Sequence, residues 1–204
     1  MQIRTISNTN KQDISFGRQK LFPIKLQYSL ANGKIESIDG IFSKFDDTDE
    51  ELAKKLLPNW RRTKYGNWII QEFLHRKNLT SNISKEDYFL IECPKLGKGE
   101  NSILALAQTS TTKNTIFLQY IQSARNKRTP IQVTGAGCGI MYGLTELAKK
   151  AQLKTINLVA DSTKNAAWYR QLGFTQDSPR SYAFTLRANQ FSKLQKSIVD
   201  KFQY

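Results

Sequence analysis

The 204-residue chain contains one histidine and two cysteines. Zinc sites built from several Cys and His ligands are thereby excluded, and no metal is expected. Only His75 could complete a Ser-His or Cys-His nucleophile pair. It stands beside the apolar stripe of a predicted helix, near that helix's end, where a surface or capping role is the simpler reading. Two cysteines make no disulfide framework and suit a reducing compartment. No apolar run approaches the roughly 18–20 residues of a membrane span. The N-terminal MQIRTISNTNKQDIS has no apolar stretch of the kind a secretory leader needs. A cytoplasmic protein with no membrane partner is expected.

Acidic side chains are scarce too, and unevenly so. Lys and Arg number 31 against 17 Asp and Glu, a net charge of +14. Residues 1–100 hold 17 basic and 13 acidic side chains, net +4, and residues 101–204 hold 14 and 4, net +10. Such a second half favours an anionic ligand or partner: a phosphorylated cofactor, a nucleic acid or an acidic protein surface. A solvated basic surface would account for the charge equally well.

What remains is the composition of a soluble globular protein, 39% hydrophobic and 24% charged. Its length fits one domain. LFPIKLQYSL and KIESIDGIF read as strands flanking Ala31-Asn32-Gly33, a tight hairpin turn. DDTDEELAKKLLPNW reads as a helix capped by Thr48 or Asp49, with Glu50 and Glu51 in its first turn and Pro58 ending or kinking it. NWIIQEFLHRK places Ile69, Ile70, Phe73 and Leu74 at helical spacing. NLTSNISKED reads as a polar loop. YFLIEC, SILALAQTS and TIFLQYIQS follow as three strands with short connections, hence antiparallel neighbours. SARNKRTP is a basic loop.

The chemistry concentrates in residues 132–174. In QVTGAGCGIMYGLTELAKKA, glycines at 135, 137 and 139 open into a helical pattern with Ile140, Leu144, Leu147, Ala148 and Ala151 on one face. A helix N-terminus carries unpaired N–H groups and a positive dipole end, and glycine lets a phosphate approach the backbone. A tight turn packing a helix onto a sheet would use the same glycines. KTINLVAD then reads as a strand. STKNAAWYRQLGF reads as a short helix capped by Asn165 and closed by Gly173 in a left-handed conformation. SYAFTLRA is a last strand. Cys138 stands at a helix N-terminus, where a thiol pKa can fall.

Two of these segments resemble known motifs. Gln132-Val-Thr-Gly135-Ala-Gly137 is similar to the Q/R-x-x-G-x-G/A pyrophosphate loop of the GNAT acetyltransferase superfamily. Asn165-Ala-Ala-Trp168-Tyr169-Arg-Gln-Leu172-Gly173-Phe174 resembles the family's N-x-x-A-x-x-Y-x-x-x-G-F region, with the alanine shifted by one place. Either motif alone has little specificity; in order, with one helix and one strand between them, they have much more. The resemblance covers about residues 87–187.

It implies a mixed α/β fold in which two neighbouring strands, TIFLQYIQS and TINLVAD, splay apart around acetyl-CoA. It implies one domain: residues 1–86 as a divergent acceptor-side part, 87–187 as the acetyl-CoA-binding core, and 188–204 as a C-terminal helical extension. Backbone groups at Ile121, Gln122 and Ser123 would pair with the pantetheine arm. N–H groups of Gln132, Val133, Thr134, Gly135, Ala136 and Gly137 would hold the pyrophosphate. Asn165 would contact the cofactor arm, and Tyr169 would protonate the departing thiolate. The acceptor would be an amine of a small molecule, a protein or an RNA-linked group. TIFLQYIQS has no carboxylate to serve as base, which leaves Asp161, and less directly Glu92 and Glu146; Asp161 is equally at home as a turn or cap residue. Two other readings stay open. Gly135, Gly137 and Asp161 mimic part of a Rossmann-like nucleotide site. The basic second half, with RNKR at 125–128, would suit a nucleic-acid-binding module.

Overall fold

The computed structural model describes residues 19–29, 34–76, 86–124 and 132–202. Nine strands form one mixed sheet: β1 (Gln19–Ser29), β2 (Ile35–Lys44), β3 (Glu86–Glu92), β4 (Ile103–Thr111), β5 (Thr115–Ser123), β6 (Gln132–Thr134), β7 (Thr155–Val159), β8 (Thr175–Gln176) and β9 (Ala183–Arg187). Their order across the sheet is β6-β1-β2-β3-β4-β5-β7-β9-β8. β1 to β5 run antiparallel, as the tight turn between β1 and β2 and the short connections among β3, β4 and β5 led one to expect; β2 and β3 also pair although α1 and α2 lie between them in the chain. Only β5 and β7 pair in parallel. A doubly wound Rossmann-like sheet is therefore excluded, and the mixed α/β class is met. The turn expected at Ala31-Asn32-Gly33, most of the basic loop over 123–130, including Arg125 to Arg128, and most of the polar loop over 78–87 lie outside the described residues.

The sheet separates two cores. α1 (Glu50–Trp60) and α2 (Gly66–His75) cover one face. α3 (Ala136–Lys150), α4 (Thr163–Gln171) and α5 (Ala188–Phe202) cover the other. Because side chains alternate along a strand, β3 serves both. Tyr88 and Leu90 enter the cluster with Leu56, Ile69 and Phe73 of α1 and α2. Phe89 and Ile91 enter the cluster with Ile140 and Leu144 of α3. α5 buries Phe191, Leu194, Ile198 and Phe202 in that same cluster, so one face of the expected C-terminal helix packs into the core.

Asp49 stands at the N-cap of α1, one of the two residues expected there, but its side chain makes no cap bond to α1; it closes a reciprocal capping box with Asp46, which begins the short turn Asp47–Asp49 leading into the helix. Pro58 sits in the last turn of α1, which ends two residues later at Trp60. The expected cap of α4 is corrected. Ser162 caps α4, accepting from the Asn165 N–H at 3.2 Å. Asn165 thus lies within the helix, and its side-chain amide donates to Asp161. Gly173, at φ 89, closes α4 as expected. His75 is the exposed last residue of α2.

Candidate active site

β5 and β7 pair from Thr115 and Thr155 to Leu118 and Leu158 and then part. β7 ends at Val159 while β5 runs on to Ser123. The cause is local. On the β4 side, Gln108 pairs with Tyr120 and Thr109 with Leu118, so Gln119 is an extra residue on β5. A bulge bends its strand and increases the local twist. Beyond it, the β7-facing edge of β5 has no strand partner among the described residues, and the Ser123 carbonyl accepts from the Gln122 side-chain amide at 3.0 Å.

The fork encloses a cavity of about 370 Å³. Ile121, Gln122 and Ser123 of β5 form one wall, and Asp161, Asn165, Trp168 and Tyr169 another. Gly137, at the start of α3, closes one end, and Lys64 and Tyr65, between α1 and α2, the other. A second hollow of about 310 Å³ adjoins it, sharing Tyr65, Ile121, Asp161, Asn165 and Tyr169. Seven residues singled out from sequence, Ile121, Gln122, Ser123, Gly137, Asp161, Asn165 and Tyr169, are thus brought together.

Gln132, Val133, Thr134, Gly135 and Ala136 do not line it. Gln132, Val133 and Thr134 form β6, paired with Ser29, Tyr28 and Gln27 of β1, so that ladder engages backbone groups of this segment. Gly135 has φ 91, and a Cβ there would stand 2.6 Å from the Phe202 ring, so this glycine serves the entry of α3 against α5. Gly139 serves packing: a Cβ would meet Ile24 at 2.6 Å. At Gly137 the nearest atoms to a Cβ would be Ser123 Oγ at 3.4 Å and the Trp168 ring at 3.6 Å, and φ is not positive. Gly137 is therefore the glycine whose open side faces the cavity. The Gly139 N–H bonds to the Gly135 carbonyl, leaving the N–H groups of Ala136, Gly137 and Cys138 as the first turn's donors.

Tyr169 is buried to 5% exposure, its ring packed among Trp168, Phe174 and Phe184. Its hydroxyl has no hydrogen-bond partner among the described residues, yet it is not among the buried polar atoms left unsatisfied, because it opens onto the cavity. Burial, followed by the charge of Asp161 and the nearness of Tyr65, pushes the phenol pKa well above its ordinary value. The group stays protonated throughout the physiological range.

Asp161 follows β7 at the fork. Lys64 Nζ donates to it at 3.2 Å and the Tyr65 hydroxyl at 3.0 Å, and the Asn165 amide donates as well. Burial alone would raise its pKa. The hydrogen bonds from Lys64, Asn165, Tyr65 and Ser162 outweigh burial and hold the carboxyl below the usual range. A carboxyl held low is a poor proton acceptor at neutral pH. Glu92 and Glu146 line neither hollow. Ser43 donates to buried Glu92, and Glu146 accepts from Gln195 of α5. Burial pushes the Cys138 thiol pKa up, against the lowering that a helix N-terminus can give.

Lys64, Tyr65 and Trp168 were not singled out from sequence. RRTKYGNW looks like an ordinary polar link between helices, and its closeness to Asp161 depends on a fold spanning 97 residues. The one local signal is Gly66, where a Cβ would lie 2.3 Å from the Trp60 ring. That contact fixes the turn that carries Lys64 and Tyr65.

Among the described residues, no cluster of three or more metal-ligating side chains occurs, and no helix is long and apolar enough to cross a membrane. No protein-family model and no curated protein matches this chain. Similar solved structures include mutant forms of the spermidine/spermine N-acetyltransferase SpeG from Vibrio cholerae (13% identity, 76% of this chain and 98% of that one, TM-score 0.49). They also include a Desulfovibrio desulfuricans protein assigned to the GNAT acetyltransferase family (12%, 73% and 99%, 0.49). A third is AtaT complexed with acetyl-methionyl-tRNAfMet (12%, 76% and 99%, 0.49). The first two are acetyltransferases by name, and at these identities and scores the likeness carries no statement about this chain's family, substrate or activity.

Proposed function

We propose that this protein is an N-acetyltransferase that moves an acetyl group from acetyl-CoA directly to an acceptor amine. One observation carries the reading. A protonated, partnerless tyrosine hydroxyl opens into a cavity between two parting strands, and a glycine-bearing helix N-terminus closes that cavity's end.

The residues fit acetyl-CoA. The unpaired edge of β5 at Ile121, Gln122 and Ser123 can complete its ladder with an amide-bearing arm, as sheet edges do with extended ligands. The first-turn N–H groups of α3, with Gly137 leaving room, can bind a phosphate group. In place of the full run from Gln132 to Gly137, the pyrophosphate contacts are assigned to the end of that run, Ala136 and Gly137, with Cys138 contributing its N–H. Asn165 faces the same space. When bound, acetyl-CoA supplies an activated acyl thioester.

Tyr169 holds a proton at its hydroxyl, donates it to the departing sulfur, and takes a proton back from water once the thiol has left, balancing the one the amine releases. Its raised pKa ensures that the proton is present, and its packed ring fixes where it is delivered. Asp161, kept ionised by its donors, orients and attracts the acceptor rather than deprotonating it. The amine proton leaves through the open mouth to water. Two unpaired cysteines, Cys93 and Cys138, agree with a cytoplasmic setting.

Calorimetry tests this. Acetyl-CoA should bind and raise the melting temperature, as any ligand of the native state does. Absence of binding at millimolar acetyl-CoA removes the reading. Extract incubated with labelled acetyl-CoA and this protein, followed by mass spectrometry, would then identify the acceptor.

A further inference from the structure

The mouth of the fork already holds an alkylammonium group, supplied by the chain itself. Lys64 Nζ lies 3.2 Å from Asp161 Oδ2 and 4.8 Å from the centre of the Tyr65 ring. A carboxylate on one side and an aromatic face on the other are the two partners that favour a cation. We propose that Asp161, with the rings of Tyr65 and Tyr120, forms a binding site for a primary alkylammonium acceptor, and that Lys64 occupies this site until the acceptor displaces it.

The two members of the pair are held very differently. The Asp161 side chain is 24% exposed and that of Lys64 is 65% exposed. Asp161 is also fixed by the Tyr65 hydroxyl and the Asn165 amide. These two contacts do not involve Lys64, so the carboxylate stays in place when the lysine swings out. Lys64 is held by the Tyr65 side chain and by the ion pair with Asp161, both at the exposed mouth, where such contacts are weak. Among the described residues lining the two hollows, Asp161 is the only carboxylate and Lys64 the only cation. Once Lys64 leaves, the mouth carries a single negative charge.

The walls select the rest of the ligand. The Tyr65 and Tyr120 rings lie 5.2 Å apart, and Trp68, half exposed, stands edge-on to Tyr120 at 6.3 Å. This aromatic wall suits an aliphatic stem behind the ammonium, as it suits the stem of Lys64. An anionic acceptor would instead need Lys64 as its anchor and would be repelled by Asp161. The two cases predict opposite effects of removing Lys64.

The inference rests on the acetyltransfer reading only in calling the bound group an acceptor, and its test needs no acyl donor. Three probes of one shape, n-pentylamine, n-pentanol and n-pentanoate, are titrated calorimetrically into the full chain, its Lys64→Ala variant and its Asp161→Asn variant. The amine should bind the wild type best of the three. Lys64→Ala should tighten amine binding by roughly two- to fivefold, because an internal competitor of an exposed pair's strength is gone. Asp161→Asn should abolish the preference for amine over alcohol. Tyr65→Phe keeps the ring and should retain that preference, which separates loss of the charge from loosening of the turn. An α-blocked lysine amide, compared with n-pentylamine, distinguishes a lysine side chain from a free amine as the source. Unchanged or weakened amine binding in Lys64→Ala overturns the proposal, as does pentanoate binding that depends on Lys64. Acetyl-CoA is titrated alongside. If it binds and the amine does not, this inference alone fails; if the amine binds and acetyl-CoA does not, the acetyltransfer reading fails.

Discussion

The Tyr65 hydroxyl donates to Asp161 over 3.0 Å although 96 residues separate the two. The bond ties the turn between α1 and α2, on one side of the sheet, to the end of β7 at the fork. It closes one end of the cavity and fixes the only carboxylate among the described lining residues. Asp161 therefore links the stability of the site to pH.

The sign follows from its partners. Burial raises the Asp161 pKa, and the hydrogen bonds from Lys64, Asn165, Tyr65 and Ser162 lower it further than burial raises it. A carboxyl held lower in the folded than in the unfolded chain stabilises the fold above its unfolded pKa, about 4. That stabilisation is lost as pH falls through the folded value. Wild type should melt above Asp161→Asn at pH 7, and the gap should close below about pH 3. Thermal melts of both proteins from pH 2.5 to 7 check this; a gap of equal size at both ends would mean that the contacts do not depend on the charge.

The glycines of α3 should divide by what they face. Gly137 opens on the cavity, so Gly137→Val should raise the acetyl-CoA dissociation constant strongly while the melting temperature stays near that of wild type. The obstruction is to the ligand and not to the backbone, since φ is not positive there. Gly143 behaves oppositely. A Cβ would stand 2.5 Å from the Phe42 ring, so Gly143→Ala should cost about 1–3 kcal/mol of stability by overpacking. Calorimetry and melting on both variants separate binding from packing. Equal loss of binding in the two would show that α3 acts only as a packing element.

What was legible in the sequence is local. The apolar runs of β3, β4 and β5, the periodicity of α3 and the left-handed Gly173 are each fixed by neighbours a few residues away. The fork was legible only through the resemblance of two motifs, because its cause, the extra residue Gln119, shows itself only when β4 is aligned beside β5. The Gly-x-Gly-x-Gly spacing looked like one anion loop. It proved to be three different contacts, with Phe202, with the cavity and with Ile24. Asn165 looked like a cap because Ser162, three residues earlier, was passed over. Lys64 and Tyr65 carried no local mark of function, since their partner comes from the far side of the sheet.

The surplus of basic residues in the second half bears on the acceptor. If the amine is carried by RNA, or if the chain is a nucleic-acid-binding module, retention of RNA should weaken steeply with salt, because neutralised phosphates release counterions. Binding measured between 50 and about 300 mM salt gives the slope. A flat response, or no retention at low salt, would assign the charge to cofactor attraction and solubility.

The proton on Tyr169 is the most exacting test of the chemistry. Tyr169→Phe keeps the ring among Trp168, Phe174 and Phe184 and removes only the hydroxyl. That hydroxyl bonds to no described residue, so its loss breaks no contact that supports the fold. The variant should melt at or slightly above the wild-type temperature. General acid catalysis typically contributes about 10²–10⁴-fold, so kcat should fall by that order while acetyl-CoA affinity changes little. Because the phenol pKa is raised by burial, the wild-type rate should show no decline from loss of this proton up to pH 10. It should instead rise with pH as the acceptor amine sheds its own proton to water. The comparison must be made where chemistry limits the rate, which a single-turnover experiment ensures. A near-wild-type single-turnover rate in Tyr169→Phe would leave the ring as packing and move the leaving-group proton to water, while the fork and its helix N-terminus would remain the acetyl-CoA site.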